Sequence, residues 1–514
     1  MYSSPAATVL AARFPGPRCR EIMRRERDRL GRGMCLVANM LPLGCPLPRC
    51  QEKCAAHIHP RRSNAPCRPL AGDPGDHPQN PRGDPAQLVI ATTAHGVTPS
   101  TFCYHCYSVY TPACGPANPV VLGRERLGSL VVTVLPQTTG ALDWLDEAAA
   151  VRRTAGLRRV LRPRPAFEPV IDLASNDYLG LARDLRVVQG AMRAARTWGT
   201  GSTGSRLVTG STELHSQLED ELAAFCGAAA ALVFSSGYTA NLGAVTALSG
   251  RGALVVSDAA SHASLVDACR LSRARVVVIP HADVAAVDAA LAARSEPRAL
   301  VITDSVISVS GELAPLTELH AVCRQHGAVL LADEAHGLGV RGTGGRGLLA
   351  EYGLIGEPDV VATVSLSKSL GSQGGAVLGS RAVIDHLVNT ARSFVFDTGL
   401  APPAAGGALA ALRVLRAEPA LPGRVLDAAT AIATAAGAPR PRSAVVSVIL
   451  GTPQRAVDMA TECLRHGVRV GCLRPPSVPA GTSRLRLTAH AALTDLELAQ
   501  AAQVLAAVLA GAVR

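Results

Sequence analysis

Lys368 stands in the run Ser365-Leu366-Ser367-Lys368-Ser369-Leu370-Gly371, between the apolar stretch Val361 to Val364 and a glycine-rich loop that ends at Gly375. Hydroxyls flank it and no acid does, which suits a desolvated amine that forms imines better than a solvated surface charge. Asp333 ends the apolar run Val329-Leu-Leu-Ala and is followed by Glu334-Ala335-His336-Gly337-Leu338-Gly339. A carboxylate at the end of a buried strand is rare without a cation beside it. A protonated pyridine nitrogen is one such cation, since an ion pair at about 4 Å is worth roughly 4 kcal/mol at an effective dielectric near 20, or about three pKa units. His262, in Ser257-Asp-Ala-Ala-Ser-His262-Ala-Ser264, is placed to lie flat on a ring, although a lone histidine is usually structural. Phe234-Ser235-Ser236-Gly237-Tyr238-Thr239-Ala240-Asn241 leaves a strand and opens a helix, so the backbone N–H groups of Gly237 and Tyr238 can face an anion. An amine for imine formation, a carboxylate for a ring nitrogen, a ring to stack and a turn for a phosphate together describe a pyridoxal-phosphate (PLP) site.

Such a set needs a scaffold that brings several strand ends together. Short Val/Ile/Leu/Ala runs predict strands at 231–234, 254–257, 275–279, 299–303, 329–333, 360–365 and 375–378. Helical patterns lie between most of them, among them 187–198, 214–225, 284–294 and 316–326. Alternating strands and helices predict an α/β fold, a mostly parallel sheet covered on both faces, with chemistry at the strand ends. A break at 416–423 precedes a different order: helix, strand 444–450, helix 456–466, strands 468–472 and 485–488, and a final helix from Thr494. The expected organisation is an N-terminal extension at 1–130, an arm at 140–185, a large cofactor-binding domain at 186–415 and a small α+β domain at 424–514. Two runs match GxGxxG, Gly199 to Gly204 and Gly342 to Gly347, but neither leaves a strand and opens a helix, which excludes a dinucleotide reading.

The chain has 514 residues, 48% of them hydrophobic, and a net charge of +11. The basicity is concentrated at the front, where residues 1–130 hold 16 Lys and Arg against 8 Asp and Glu, so the body is not built for polyanions. Nine of the 14 cysteines also lie there, and the five later ones read as buried free thiols. Cys103, Cys106 and Cys114, with Cys45, Cys50, Cys54, His57 and His59, suggest zinc, but no second CxxC stands at zinc-ribbon spacing. The arginines from Arg13 to Arg32 and the apolar run after them imitate a secretory signal, which Glu21, Glu26, Asp28 and Pro42 interrupt. The patternless composition predicts a disordered segment or a start codon assigned too far upstream, with a true start near Val131 or Val132. No stretch is apolar enough for a spanning helix, so a soluble, cytoplasmic protein is expected.

Together with Leu173-Ala-Ser-Asn176-Asp-Tyr-Leu-Gly-Leu181, Gly201 to Gly210 and the stretch from Arg474 through Ser477 and Arg486 to Thr488, these motifs resemble the α-oxoamine synthases over roughly residues 140–512. Those are fold-type I PLP enzymes that condense an amino acid with an acyl thioester and lose carbon dioxide. The stretches Ser261 to Asp267, Pro280-His281-Ala282-Asp283-Val284 and Gly345 to Gly353 are most similar to the branch acting in biotin biosynthesis. That branch joins L-alanine to a pimeloyl group borne by coenzyme A or an acyl carrier protein. The resemblance implies that Lys368 carries PLP as a Schiff base and moves the substrate Cα proton, that Asp333 pairs with the ring nitrogen, and that His262 stacks on the ring. His336 and Ser308 would bond the phenolic oxygen, and the amides of Gly237 and Tyr238 with the Ser365 hydroxyl would hold the phosphate. Arg486, helped by Asn176, would bind the amino-acid carboxylate, while Arg158 and Ser477 would line the thioester path. A homodimer with a shared site is implied, in which Thr398 reaches the neighbour's phosphate, with no metal, nucleic acid or membrane. Asp304 stands where many relatives carry Glu, and Ser310 where an Asp usually precedes the glycine. The alternatives are a sister enzyme using glycine or serine, such as glycine acetyltransferase or serine palmitoyltransferase, and a zinc- or nucleic-acid-binding protein built on residues 1–130.

Overall fold

A computed structural model describes residues 120–124, 130–134 and 140–510. The chain divides into a unit up to Gln137 and a unit from Thr138 onward. In the first, β1 (Val120–Arg124) and β2 (Leu130–Val134) form an antiparallel ladder with Val120 opposite Val134. Regular structure therefore begins before residue 130, where Val and Leu concentrate. The cysteine and histidine group considered for zinc and the signal-like run lie outside the described residues.

The second unit opens with α1 (Trp144–Thr154), followed by the short strand β3 (Ile171–Leu173) and the helices α2 (Leu185–Trp198) and α3 (Glu213–Cys226). A run of strands and helices follows: β4 (Ala230–Phe234), α4 (Gly237–Leu248), β5 (Ala253–Asp258), α5 (Ala263–Ser272), β6 (Arg275–Ile279), α6 (Val284–Ala292), β7 (Arg298–Asp304), α7 (Leu316–Gln325), β8 (Val329–Asp333), β9 (Val360–Ser365) and β10 (Gly375–Gly379). All seven strands predicted here form, within a residue or so at their ends. They make one sheet in the order β4-β10-β9-β8-β7-β5-β6. Strands β5 to β9 pair in parallel, whereas β10 is antiparallel to both β9 and β4. The reason is the connection between β9 and β10: residues 366–374 are too few for a helical crossover, so the chain turns straight back. Along β8, Leu330 belongs to one apolar cluster and Leu331 to another, one on each face of the sheet. Every residue of β5, β9 and β10 is buried, as expected for a sheet covered on both sides.

After α8 (Arg381–Thr390), α9 (Pro402–Ala417) and α10 (Leu421–Ala435), a second sheet combines β11 (Val445–Gly451), β12 (Val468–Leu473) and β13 (Ser483–Thr488). Helices α11 (Pro453–Arg465) and α12 (Asp495–Leu509) accompany it. Its order is β11-β13-β12-β3, so residues far upstream supply the fourth strand, parallel to β12. Three residues are too few for a period-2 signal, which is why that strand escaped the sequence reading. Cys226, Cys269, Cys323 and Cys463 are buried free thiols and Cys472 is half-buried. Burial pushes the Cys226 and Cys323 thiols up to about 12. No helix among the described residues is long and apolar enough to cross a membrane.

Helix α2 lies against α9 at a crossing built from small residues. A Cβ on Gly190 would come within 2.6 Å of the Ala410 Cβ and 2.7 Å of the Gly406 carbonyl oxygen, and one on Gly406 within 2.5 Å of the Ala194 Cβ. Gly406→Val should force the helices apart and cost about 1–3 kcal/mol. Urea unfolding should show this as a lower midpoint at unchanged slope. A midpoint equal to wild type would refute the close approach.

Candidate active site

The register of the large sheet lines up three strand ends. Asp304 ends β7 opposite Asp333 at the end of β8, and Asp333 lies opposite Thr363 near the end of β9. Lys368 follows three residues after β9 and is half-buried. Asp333 is buried, and its carboxylate accepts from the Ala335 amide at 2.8 Å and from Asn241 Nδ2 at 2.7 Å. Asn241 sits in the second turn of α4 and is itself buried. Its amide is oriented without ambiguity: Oδ1 accepts from the Thr363 hydroxyl at 2.6 Å, and Nδ2 donates both to Asp333 and, at 2.8 Å, to Ser264 Oγ. Ser264 Oγ, already accepting, is left to donate to His262 Nδ1 at 2.7 Å, which also faces the Ser264 amide at 3.3 Å. The His262 ring proton must then sit on Nε2. Burial lowers the His262 pKa against the opposing charge of Asp333, in keeping with a neutral ring.

His262 is also the N-cap residue of α5, and its own amide donates to Asp304 Oδ2 at 2.7 Å. Asp304 is buried, and burial together with the charge of Asp333 raises its pKa well above the ordinary carboxylate value. Asp304 thus anchors the start of α5. Ser310 donates from its hydroxyl to Glu312 at 2.7 Å. Glu334, next to Asp333, faces away toward a closed set of donors, the Ser305 hydroxyl at 2.8 Å and the Leu349 amide at 2.5 Å.

A second network comes from the other sheet. Arg486, on β13, is buried and donates to the Ser308 carbonyl at 2.6 Å, to Asn176 Oδ1 at 2.9 Å and to the Tyr178 hydroxyl at 3.3 Å. Tyr178 is fully buried, its hydroxyl 2.6 Å from His336 Nδ1 and 3.2 Å from Asn176 Oδ1. Burial raises the Tyr178 pKa, so it remains a phenol. Burial, then the positive charges of Lys368 and Arg486, hold His336 well below its ordinary pKa. The neutral imidazole and the neutral phenol share one short hydrogen bond. Lys368 is lowered as well, first by burial, with Asp333 and Asp304 opposing and Arg486 reinforcing the shift. A lysine so placed is more readily an uncharged amine.

Two buried charges lack opposite partners. Among the described residues no guanidinium or ammonium lies within ion-pair distance of Asp333, and all three Arg486 contacts are neutral oxygens. Both lie near enough to Lys368 for the charge of each to shift its pKa. The first turn of α4 is open to an anion, because Ser236 caps only the Thr239 amide and thus leaves those of Gly237 and Tyr238 free of the cap. Glycine is required opposite this turn, at 375, where a Cβ would come within 2.4 Å of the Gly237 Cα; Ser365 also packs against Gly237. Ser365 is buried at the end of β9, 2.7 Å from Ser367 Oγ. A carboxylate needing a cation, an amine with a depressed pKa and an open helix N-terminus beside a hydroxyl are what PLP requires.

The remaining predicted residues divide. Tyr238 is largely exposed, its hydroxyl bonded to Asp267, so only its amide faces the anion-binding turn. Ser308 meets Arg486 through its carbonyl, and no hydrogen bond of its side chain is seen among the described residues. Arg158 and Ser477 are exposed and brought together by Arg474, which donates to the Arg158 carbonyl at 3.4 Å and whose own carbonyl accepts from the Ser477 amide at 2.9 Å. Thr398 is exposed. Sequence reasoning quoted Asn241 and Tyr178 within motifs without giving them a role. Asn241 lies one helical turn beyond Gly237 among alanine, leucine and valine, and a lone amide in such company was the available signal.

The aminotransferase class I and II family model matches residues 168–505. The chain is 68% identical over 374 residues to an 8-amino-7-oxononanoate synthase of Mycobacterium sp. strain JLS, covering 73% of this chain and 98% of that protein. A serine palmitoyltransferase from S. paucimobilis, solved with bound PLP–myriocin aldimine, superposes with a TM-score of 0.67 at 30% identity, covering 72% of this chain and 98% of that one. An 8-amino-7-oxononanoate synthase structure from Francisella tularensis superposes with a TM-score of 0.56 at 24% identity over 66% of this chain and 97% of that one, a likeness of fold.

The raised pKa of Asp304 has a stability consequence. Its folded value lies above its unfolded value of about 4, so the native state holds the proton longer and stability falls as pH rises from about 4 through the folded pKa. Asp304→Asn should make urea-unfolding stability decline less between pH 4 and 8 than in wild type. Glu334, also raised by burial, keeps the slope from vanishing. An unchanged slope would show that Asp304 ionises normally.

Proposed function

The chain belongs to the aminotransferase class I and II family, and we propose that it is an 8-amino-7-oxononanoate synthase, a PLP-dependent acyltransferase joining L-alanine to a pimeloyl thioester. The observation that carries this reading is Arg486: a buried guanidinium with only neutral protein partners, close enough to Lys368 to perturb it, is a receptor for an amino-acid carboxylate.

Asp333, His262, His336 and Ser308 hold the ring of PLP, and the Gly237 and Tyr238 amides with Ser365 hold its phosphate. When bound, PLP would supply the electron sink that stabilises negative charge at the amino acid's Cα, and Lys368 is the amine that would hold it. Asp333, which accepts from the Asn241 and Ala335 donors, would face the ring nitrogen. Arg486 and Asn176 orient the alanine carboxylate. Lys368 Nζ, its pKa depressed by burial, removes the alanine Cα proton. Arg158 and Ser477 guide the pimeloyl thioester so that its carbonyl meets Cα and the thiol departs. Carbon dioxide is then lost from the carboxylate held by Arg486, and Lys368 returns a proton to Cα to give 8-amino-7-oxononanoate. The enzyme works in biotin biosynthesis, in the cytoplasm and as a homodimer in which Thr398 reaches the neighbouring phosphate site.

Borohydride treatment of the PLP-loaded enzyme should lock the cofactor onto the peptide that holds Lys368, and Lys368→Ala should abolish both the adduct and condensation, a loss of about 10⁴-fold or more. Wild type should release carbon dioxide from L-alanine with pimeloyl thioester. Turnover confined to glycine or serine would move the chain to a sister synthase.

A further inference from the structure

From Val151 to Pro165 the chain carries six arginines, Arg152, Arg153, Arg158, Arg159, Arg162 and Arg164, and no acid. All six are exposed. Among the described residues none of them pairs with a carboxylate, and the single side-chain hydrogen bond is from Arg159 to the Pro475 carbonyl at 3.4 Å. Elsewhere on the surface Arg186, Arg275, Arg413, Arg465 and Arg469 each meet Asp or Glu.

The strip is fastened next to the site. Arg474 donates to the Gly156 carbonyl at 2.6 Å and to that of Arg158 at 3.4 Å. Arg474 follows β12, in which Gly471 is paired with Arg486, so the attachment point lies three residues, about 10 Å, along the strand from the carboxylate receptor. From Gly156 to Arg164 the backbone is not helical and spans up to about 30 Å. A coenzyme's phosphates, clustered at one end of a small molecule, could engage only part of such a length. Val160 and Leu161, among the arginines, are also exposed, Leu161 at 94%. Arginine interspersed with uncovered aliphatic side chains is the composition of a protein-binding face.

We propose that this arm is the docking surface for an acidic acyl carrier protein that delivers the pimeloyl group. The proposal rests on the condensation inferred above and settles which carrier it uses. The carrier's negative face meets the arginines, its apolar side chains cover Val160 and Leu161, and its acyl-bearing arm enters past Ser477. Charge of one sign spread along an exposed strip acts mainly on encounter rate and is screened by salt.

The test is the full-length, PLP-loaded enzyme carrying Arg152→Glu, Arg153→Glu, Arg162→Glu and Arg164→Glu together, which spares Arg158 and Arg159. With pimeloyl-acyl carrier protein, kcat/KM should fall at least about tenfold, and the wild-type value should fall with added salt. With pimeloyl-coenzyme A, kcat/KM should stay within about twofold, which also shows that the variant is folded. Equal loss with both thioesters, loss confined to the coenzyme, or no loss overturns the proposal, as does a variant whose oligomeric state changes. If wild type condenses neither thioester, the reading of function fails by itself. Titration of the acyl-free holo carrier protein then decides the surface: binding by wild type and not by the variant supports it, and equal binding or none refutes it.

Discussion

The site depends on two buried charges that the protein leaves without opposite partners. Asp333 at the end of β8 and Arg486 on β13 are both surrounded by neutral hydrogen-bonding groups. A buried ion held this way is costly unless its remaining need is met from outside. The two needs are opposite in sign, come from different sheets and both act on the charge of Lys368. The free protein thus holds the electrostatic outline of one cationic and one anionic group, whose presence would relieve a cost already in the fold.

The neutral networks around those charges do more than satisfy hydrogen bonds. Asn241 has a fixed amide orientation because Thr363 offers a donor on one side and Asp333 an acceptor on the other. The direction of donation then passes through Ser264 to His262, so a helix residue with no hydrogen bond to Lys368 or Arg486 among the described residues decides which ring nitrogen of His262 keeps its proton. Tyr178 plays the corresponding part in the second network by joining Arg486 and Asn176 to His336. Both histidines are held neutral by burial in a place where a charged imidazole would weaken the hold on a protonated ring.

Much of this was legible in the sequence. Strand positions could be read because fully buried strands are continuous Val, Leu and Ala runs, and Lys368 and Asp333 stood out because charged residues are rare beside such runs. The reversed direction of β10 was not legible from alternation alone, although the short span between Ser365 and Gly375 contained the answer. β3 was invisible because three residues carry no period. Asn241 and Tyr178 could be seen but given no role, since their partners lie 92 and 158 residues away. Composition reports what is buried, and only the register of the sheet reports which buried groups meet.

The division of labour between the two sheets explains why the short upstream segment matters. β3 pairs with β12, and Asn176 and Tyr178 follow β3 within five residues, so the same pairing that completes the second sheet delivers both side chains to Arg486. Upstream of β3, the arginine-bearing arm is tied to the residues that follow β12. One strand, too short to be stable by itself, therefore fixes the surroundings of Arg486 on one side and the attachment of the arginine-bearing arm on the other. A shift of register at β3 would disturb both the Arg486 network and the arm while leaving Asp333, Lys368 and the first turn of α4 in the large sheet as they are.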